Sequence, residues 1–315
     1  MRTPADCQSA TQQVANLRHG RTWPRDKNLA ATARFQANAI QRRLGAFWLR
    51  HSLDIRHSDL VIGAAGAFTL VELLVVIAII AMLAVMLLPA LSQSKQSAWS
   101  AECAGSLRQL SLATQLYWDE NSGNCFQWIY TSTNSDGHLY WFGWLQSDTT
   151  PEGQRTFDLS AGVLFPYLGS SDVRLCPALY ATPAQVKLKG DDVIFSYGYN
   201  KSLSPAGNNS PPVNVNKIKR PVDLVLFGDA AQVNDFQDPA SPDHPMLEEW
   251  YYLDVDTNFS SANYYPNGHF RHSQKANVAF CDGHVGRETM MPGSLDQRLP
   301  DQGVGQLRPE ILLIP

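Results

Sequence analysis

The fold of this chain is decided by the stretch Ala67-Phe68-Thr69-Leu70-Val71-Glu72-Leu73-Leu74, which opens an apolar segment that runs to Leu88. From Leu73 to Leu88, all sixteen consecutive residues are apolar. A helix needs about 20 residues to cross the core of a bilayer. A helix in a soluble core rarely stays apolar on every face for four turns. Residues 68–89 are therefore predicted to span a membrane.

The charges on either side of this segment predict its orientation. The four basic residues nearest before it are Arg42, Arg43, Arg50 and Arg56, and the first cation after it is Lys95. Because basic flanks stay cytoplasmic, we expect a single-pass inner-membrane protein with a periplasmic head. A cleaved secretory signal is the alternative, and Ala90-Leu91-Ser92 is its one weak cleavage candidate. Such a signal has a shorter apolar region and a much shorter N-terminal region.

Composition limits the classes of protein to which the chain can belong. Its 315 residues are 44% hydrophobic, with a mean hydropathy of -0.22 and a net charge of -4. These averages exclude wholesale disorder, a collagen-like fibre and a multi-span membrane protein. Residues 1–67 have ten Lys and Arg against four Asp and Glu, which is +6, so the remainder is -10. Nucleic acid is therefore not an expected partner of the acidic part.

Beyond Pro89 the helical pattern continues but becomes one-sided. Apolar residues recur at steps of three or four; they are Trp99, Cys103, Leu107, Leu110, Ala113 and Tyr117. Residues 90–121 are thus predicted to form an amphipathic stalk that ends at Asn121-Ser122-Gly123. A helix from Phe68 to Asn121 would be roughly 80 Å long, and Pro89 is expected to kink it or locally melt it.

Residues 122–315 have a globular composition and contain short strand-like runs. These runs are Tyr140–Leu145, Val193–Tyr199, Asp223–Gly228 and Asn277–Cys281. Turn-rich stretches separate them, and aromatic residues are abundant, which suits a small antiparallel sheet with one face covered. The predicted fold class is α+β, in which a long N-terminal transmembrane helix continues as a stalk packed on a small β-sheet head.

The opening stretch resembles the processing signal of type IV prepilins and type II secretion pseudopilins. Counting Phe68 as the first mature residue, Glu72 is fifth and Pro89 is twenty-second, as in many members of that family. The resemblance implies that a prepilin peptidase cleaves between Ala67 and Phe68 and then N-methylates Phe68. Residue 67 is usually Gly in the family, and the leader, residues 1–67, is unusually long. A start nearer the span would leave residues 1 to about 55 untranslated.

The same resemblance implies roles and partners. Glu72 is expected to neutralise the methylated amine of a neighbouring subunit, and Pro89 belongs to the assembly helix. The implied partners are the peptidase/methyltransferase, other pilin-like subunits, the inner-membrane secretion or pilus assembly machinery, and the lipid bilayer. The physical argument agrees, because a buried carboxylate is tolerated when it is paired with a cation.

A second signature lies near the C-terminus, where His272 is followed by nine residues and then Asp282-Gly283. This spacing resembles the C-terminal signature of prepilin-like proteins of Planctomycetes and Verrucomicrobia. Further segments look like the same group: Cys103–Tyr117, Cys176-Pro177, Ser196–Asn200 and Leu226–Asp229.

The residues of this signature allow two interpretations. Asp282-Gly283 between apolar runs predicts a hairpin turn that needs a positive φ, with His272 as a hydrogen-bonded packing residue. The alternative is a metal or ligand site built from His272, Asp282, His284 and Asp229. Calcium prefers several oxygen ligands, and two imidazoles favour another ion. The main prediction is that the head binds no cofactor.

Cysteine usage predicts possible disulfides in the head. Cys7 lies in the leader, whereas four cysteines lie in the part expected outside the cytoplasm, where disulfides persist; these are Cys103, Cys125, Cys176 and Cys281. Four cysteines allow three connectivities, and any bridge from Cys103 would tie the stalk to the head. The other interpretation is four buried thiols.

The expected function is that of a structural, non-catalytic pilin-like subunit of a pseudopilus or pilus-like filament. The chain has no Gly-x-Ser-x-Gly, no His-Glu-x-x-His and no phosphate-binding loop, although a dispersed hydrolase site would not be visible in this way. The alternative is a membrane-anchored envelope protein that does not polymerise and whose head binds a carbohydrate or other ligand.

Overall fold

The computed structural model describes residues 69–130, 136–147, 149–168, 173, 175–182, 186–204, 213–255 and 264–314. The chain divides into two compact units, Met1–Leu73 and Leu74–Pro315. Of the first unit, residues 69–73 are described, so the predicted leader lies outside the described residues.

The first element is helix α1, Leu70–Glu120, whose 51 residues correspond to about 76 Å. Its first part is apolar and exposed: the large hydrophobic side chains from Leu70 to Leu91 all lie on the surface of the chain, the least exposed of them at 47%. The helix is long and apolar enough to span a membrane by length and composition. Its second part is amphipathic, with buried residues Cys103, Leu107, Leu110, Ser111, Ala113, Thr114 and Trp118.

Local sequence explains where α1 ends, and the helix is not interrupted at Pro89. The helix continues through Pro89, so the local melting that this residue could cause is not observed. It stops where predicted, because Ser122 and Gly123 take positive φ values of 58° and 79°. The Gly123 N–H donates to the Trp118 carbonyl oxygen at 2.7 Å, which closes the helix in the manner of left-handed C-terminal caps.

Fourteen short strands, three short α-helices and five 3-10 helices follow among the described residues. The strands are β1 Ile129–Tyr130, β2 Gly137–Tyr140, β3 Gly143–Gln146, β4 Phe157–Asp158, β5 Val186–Lys187, β6 Tyr197–Asn200, β7 Val225–Asp229, β8 Gln232–Asn234, β9 Met246–Glu248, β10 Tyr252–Leu253, β11 Gly268–His269, β12 Lys275–Phe280, β13 Val285–Thr289 and β14 Val304–Gly305. The α-helices are α2 Phe165–Leu168, α3 Pro177–Tyr180 and α4 Pro309–Leu312.

The strands form four small sheets. The largest has the order β10-β6-β7-β12-β13, and all of its pairs are antiparallel except β10 with β6. A four-stranded antiparallel sheet has the order β1-β2-β3-β4. Two smaller sheets have the orders β5-β9-β8 and β11-β14. The coarse prediction is confirmed: the chain is α+β, with one long apolar helix followed by small, mostly antiparallel sheets.

Strand positions differ from the sequence-based expectation in one informative place. The pattern of Tyr140–Leu145 predicts one strand, but the run contains a tight turn at residues 141–142 between β2 and β3. Gly143 makes this turn possible, since its φ is 151° and an added Cβ would lie 2.5 Å from the Asp158 carbonyl oxygen. The aromatic side chains in this run pack into the core, which explains why the hydrophobic pattern masks the turn.

The main core lies between the second part of α1 and the five-stranded sheet. Cys103, Leu107 and Leu110 belong to the same cluster as Tyr197, Tyr199 and Phe227. Phe126, which follows α1, stacks on Tyr199 with ring centroids 4.4 Å apart. The predicted apolar stripe of the stalk is confirmed: its four central residues are buried, and Trp99 and Tyr117 are half-buried.

The turn between β12 and β13 lies against α1. Gly283 has a φ of 95°, and its N–H donates to the Phe280 carbonyl oxygen at 2.9 Å, as expected for Asp-Gly in a hairpin. A Cβ on Gly283 would lie 2.5 Å from Gln115 Nε2 of α1. This position therefore requires glycine for its backbone and for its close approach to the helix.

We expect Gly283→Ala to lower the free energy of unfolding by about 1 to 2 kcal/mol, because a Cβ is disfavoured at positive φ, with a further loss from the Gln115 contact. Denaturant unfolding of the full chain in detergent, followed by tryptophan fluorescence, measures the change.

Gly293→Ala is the matched control, since Gly293 has a φ of 79° but nothing within 4 Å of an added Cβ. The loss should be larger at Gly283, and Gln115→Ala should recover the difference. Equal losses at the two glycines, with no recovery in the Gln115→Ala background, would show that the contact with Gln115 does not contribute to the loss.

Candidate functional site

Side chains from four separate motifs meet beneath α1. Among the described residues, the group of His, Cys, Asp and Glu that could hold an ion consists of Cys103, Cys176, Asp229 and His272, whose ligand atoms lie within 4.8 Å of one another. We call these four residues the Cys-Asp-His cluster. None of them is more than 1% exposed, so the cluster is sealed inside the core.

Four different elements position the cluster. Cys103 lies on the buried face of α1, and Cys176 is the N-cap residue of α3. Asp229 is the last residue of β7. His272 begins a tight turn before β12, in which its N–H and carbonyl oxygen both pair with Lys275.

The two cysteines form a disulfide, with their Cα atoms 5.4 Å apart. The bridge connects positions 73 residues apart in the chain, and it ties α1 to the head. Closing a loop of that length stabilises a fold by up to about 4 kcal/mol in the chain-entropy account. Cys125 and Cys281 are free and buried, and burial raises the pKa of the Cys125 thiol to about 12.

His272 connects the disulfide to Asp229. Its Nε2 atom lies 3.5 Å from Cys176 Sγ and 3.4 Å from Asp229 Oδ2. Burial, followed by the positive charges of Arg271 and Arg287, lowers the pKa of His272 to about 3. The imidazole is therefore neutral near pH 7 and has a nitrogen beside both a sulfur and a carboxylate.

Asp229 is a buried charge with a complete set of partners. Arg271 Nη2 donates to its Oδ1 atom at 2.7 Å, and the Asn277 N–H donates to its Oδ2 atom at 2.7 Å. Burial raises the pKa of Asp229 to about 6, and Arg271 opposes this rise. The same Arg271 nitrogen also donates to the Ser196 carbonyl oxygen at 2.6 Å, so Arg271 holds β7 against the segment before β6.

The predicted metal candidates separate into two places. His272 and Asp229 meet in the cluster, as described above. Asp282 and His284 instead pair with each other in the β12–β13 turn, where His284 Nδ1 lies 2.6 Å from Asp282 Oδ1 and both side chains are partly exposed. The four residues therefore do not come together as one group in the structure. The prediction of this site did not include Cys103 and Cys176. The Cys176-Pro177 pair and the position of Cys103 on the apolar face of the helix are the signals that could have suggested them.

Of the residues predicted for processing and assembly, Glu72 and Pro89 lie in α1. Ala67 and Phe68 fall outside the described residues, as does Cys7. Glu72 Oε2 accepts hydrogen bonds from Thr69 N at 2.8 Å and Thr69 Oγ1 at 2.9 Å, and the Glu72 N–H donates back to Thr69 Oγ1 at 3.3 Å. This reciprocal arrangement is a capping box, and the Thr-x-x-Glu spacing is the signal in the sequence that could have predicted it.

Comparison with known proteins assigns no function to this arrangement. No protein-family model, no curated protein and no solved structure matches the chain. What the geometry itself offers is a buried disulfide, a neutral imidazole and a charge-paired carboxylate at the junction of α1 with the head.

The first prediction from this site concerns the thiols. Peptide mapping of the unfolded, non-reduced chain after alkylation should find Cys103 linked to Cys176, and Cys125 and Cys281 alkylated. A peptide that links Cys103 to either of the other two cysteines would contradict the pairing.

The second prediction concerns the buried charge. Asp229→Asn should lower the free energy of unfolding by about 3 to 5 kcal/mol, because it leaves the Arg271 charge buried without a counter-charge. Asp282→Asn is the matched control: it breaks a half-exposed pair, which typically contributes under about 1 kcal/mol. Denaturant unfolding of both variants measures the contrast, and similar losses would refute a special role for the buried pair.

Proposed function

We propose that the chain is a pilin-like subunit that is processed by a prepilin peptidase and assembled through its N-terminal helix into a type II secretion pseudopilus or type IV pilus-like filament. In this proposal the chain has a structural role and is not an enzyme. Before assembly it is held in the inner membrane by residues 68–89, with the head in the periplasm.

The observation that supports this proposal is the division of α1 into two parts. The apolar side chains of the first part are exposed; Leu73, Ile77 and Leu88, for example, are 59%, 57% and 65% exposed. The second part is buried against the head. Exposed apolar surface of this extent needs a lipid or protein environment, and a bilayer followed by the helices of other subunits supplies both in turn.

The capping box adds a role for Glu72 that is compatible with assembly. Within one chain the carboxylate accepts two hydrogen bonds from Thr69, which fixes its position at the N-terminal end of the helix. A negative charge at that end is favoured by the helix dipole. A methylated amine from another copy would be a cation for this fixed carboxylate to bind.

A second function has its own supporting observation. A cavity of about 840 Å³ lies beside the cluster, with Trp99, Arg271 and Gln302 among its lining residues. An aromatic ring with polar groups around it is suited to a carbohydrate or similar ligand. In this alternative the same anchored chain binds a ligand and does not polymerise.

Mass spectrometry of the mature N-terminus is the direct test of processing. We expect a chain that begins with methylated Phe68 in cells that contain a prepilin peptidase, and an intact leader in cells that lack it. An intact leader in both would refute the proposal at its first step.

Variants of Glu72 test assembly and separate its charge from its capping role. Glu72→Gln keeps an acceptor for Thr69 but removes the charge, whereas Glu72→Ala removes both. We expect both variants to insert into the membrane and to reduce filament yield at least about 10-fold, because each contact between subunits loses a pair of opposite charges. Glu102→Ala, an exposed change on the same helix, is the control and should assemble normally.

Electron microscopy with immunolabelling measures filament yield. Normal assembly of Glu72→Gln would show that capping is sufficient and that the charge is not used. Normal assembly of Glu72→Ala, together with saturable ligand binding by a monomeric chain, would favour the alternative function.

A further inference from the structure

We propose that the Cys-Asp-His cluster is a zinc site when the Cys103–Cys176 bridge is reduced, so that either a disulfide or a zinc ion can tie α1 to the head. The inference does not rest on the filament function, since it concerns the ligands of one ion and can fail or succeed independently.

The ligand set and the distances fit this ion. Two thiolates, an imidazole and a carboxylate are ligands that zinc takes in a tetrahedral site. Zinc bond lengths place the ligand atoms of such a site about 3.3 to 3.8 Å apart. His272 Nε2 already lies 3.5 Å from Cys176 Sγ and 3.4 Å from Asp229 Oδ2. All four ligand atoms lie within 4.8 Å of one another, and the two sulfurs would have to separate from a bond of about 2 Å.

The charges balance in both states. With the disulfide, the buried charges at the cluster are Asp229 and Arg271, which pair at 2.7 Å and sum to zero. With zinc, the ion adds two positive charges and the two thiolates add two negative ones, so the sum is again zero. The protein therefore need not bury a net charge to exchange one state for the other, which is the usual obstacle to a metal in a sealed core.

The surrounding residues already hold the ligands in place. Arg271 and the Asn277 N–H fix the Asp229 carboxylate, as the partners of metal ligands commonly do. His272 is held by the turn with Lys275, in which Ser273 and Gln274 both take positive φ values, 54° and 60°. Two positive φ values between the paired residues His272 and Lys275 fit a type I′ turn, which sets the backbone position of His272.

A cavity adjoins the cluster on the side of His272. The cavity of about 840 Å³ is lined by His272 and opens beside Trp99 of α1. Its wall is thus formed in part by one of the proposed ligands.

The exchange is chemically balanced. A dithiol reductant supplies two electrons and two protons, becomes a disulfide itself, and converts the Cys103–Cys176 bond into two thiols. Zinc then binds as both thiols release their protons to solvent. Reoxidation by a disulfide reagent reforms the bridge and releases the ion.

The test uses the full chain with the Cys7→Ser substitution, in detergent micelles. The chain is reduced with a dithiol, and the dithiol is then removed under anaerobic conditions. Cobalt titration replaces zinc with a visible ion: we expect one equivalent to produce thiolate-to-cobalt charge-transfer absorption, which zinc then displaces. The oxidised chain should give no such absorption. Cys103→Ser and His272→Ala should each raise the zinc Kd at least about 100-fold, since even the loss of an outer partner costs about 10- to 100-fold.

The double variant Cys125→Ser with Cys281→Ser is the matched control, because it removes the two buried free thiols and should leave zinc binding unchanged. Alkylation mapping of the wild-type chain gives a readout that needs no folded variant: zinc should slow modification of Cys103 and Cys176 at least about 10-fold. The proposal is overturned if the reduced wild-type chain, folded or not, binds no cobalt, or if zinc protects Cys125 and Cys281 instead.

Discussion

The docking of the second part of α1 on the five-stranded sheet is the contact on which the rest of this structure depends. The buried face of the helix and the facing residues of β6, β7 and β12 form one hydrophobic cluster. Neither partner could be stable alone, because an isolated amphipathic helix gains most of its stability from packing and a small sheet needs one face covered. The apolar first part belongs to the same helix. Whatever binds that part therefore also holds the head.

Polar contacts make this docking specific, since hydrophobic burial alone has no direction. Tyr197 donates from its hydroxyl to the Cys103 carbonyl oxygen at 3.5 Å, and Asn277 Nδ2 donates to the Ser100 carbonyl oxygen at 3.1 Å. The disulfide adds a covalent link at the same level of the helix. Asp229, which pairs with Arg271, has a carboxylate oxygen within 4.8 Å of the disulfide sulfurs. A helix shifted by one turn would lose all of these contacts together, so the register of α1 on the sheet is fixed.

The sequence predicted what depends on local pattern and missed what depends on tertiary proximity. The apolar segment, the stripe on the stalk, the stop at Gly123 and the turn at Gly283 all follow from spacing and from glycine chemistry, and the structure has each of them. The single strand predicted for Tyr140–Leu145 was wrong because an unbroken aromatic pattern can hide a two-residue turn. The Cys-Asp-His cluster was only half predicted, since nothing in the spacing of Cys103, Cys176 and Asp229 shows that three separate elements bring them to His272.

The spacing between His272 and Gly283 has a geometric counterpart in this docking. Asn277, inside the signature, contacts Ser100 of α1, and Gly283 at its end lies against Gln115. From Asn277 to Gly283 the chain follows β12 to Phe280 and then enters the turn at residues 281–283. The helix from Ser100 to Gln115 covers about 22 Å. β12 and its turn therefore run along α1 from one contact to the other. An insertion between His272 and Gly283 would move the turn away from Gln115 or the histidine away from the disulfide. The length of this segment is therefore set by the part of α1 along which the strand and its turn run.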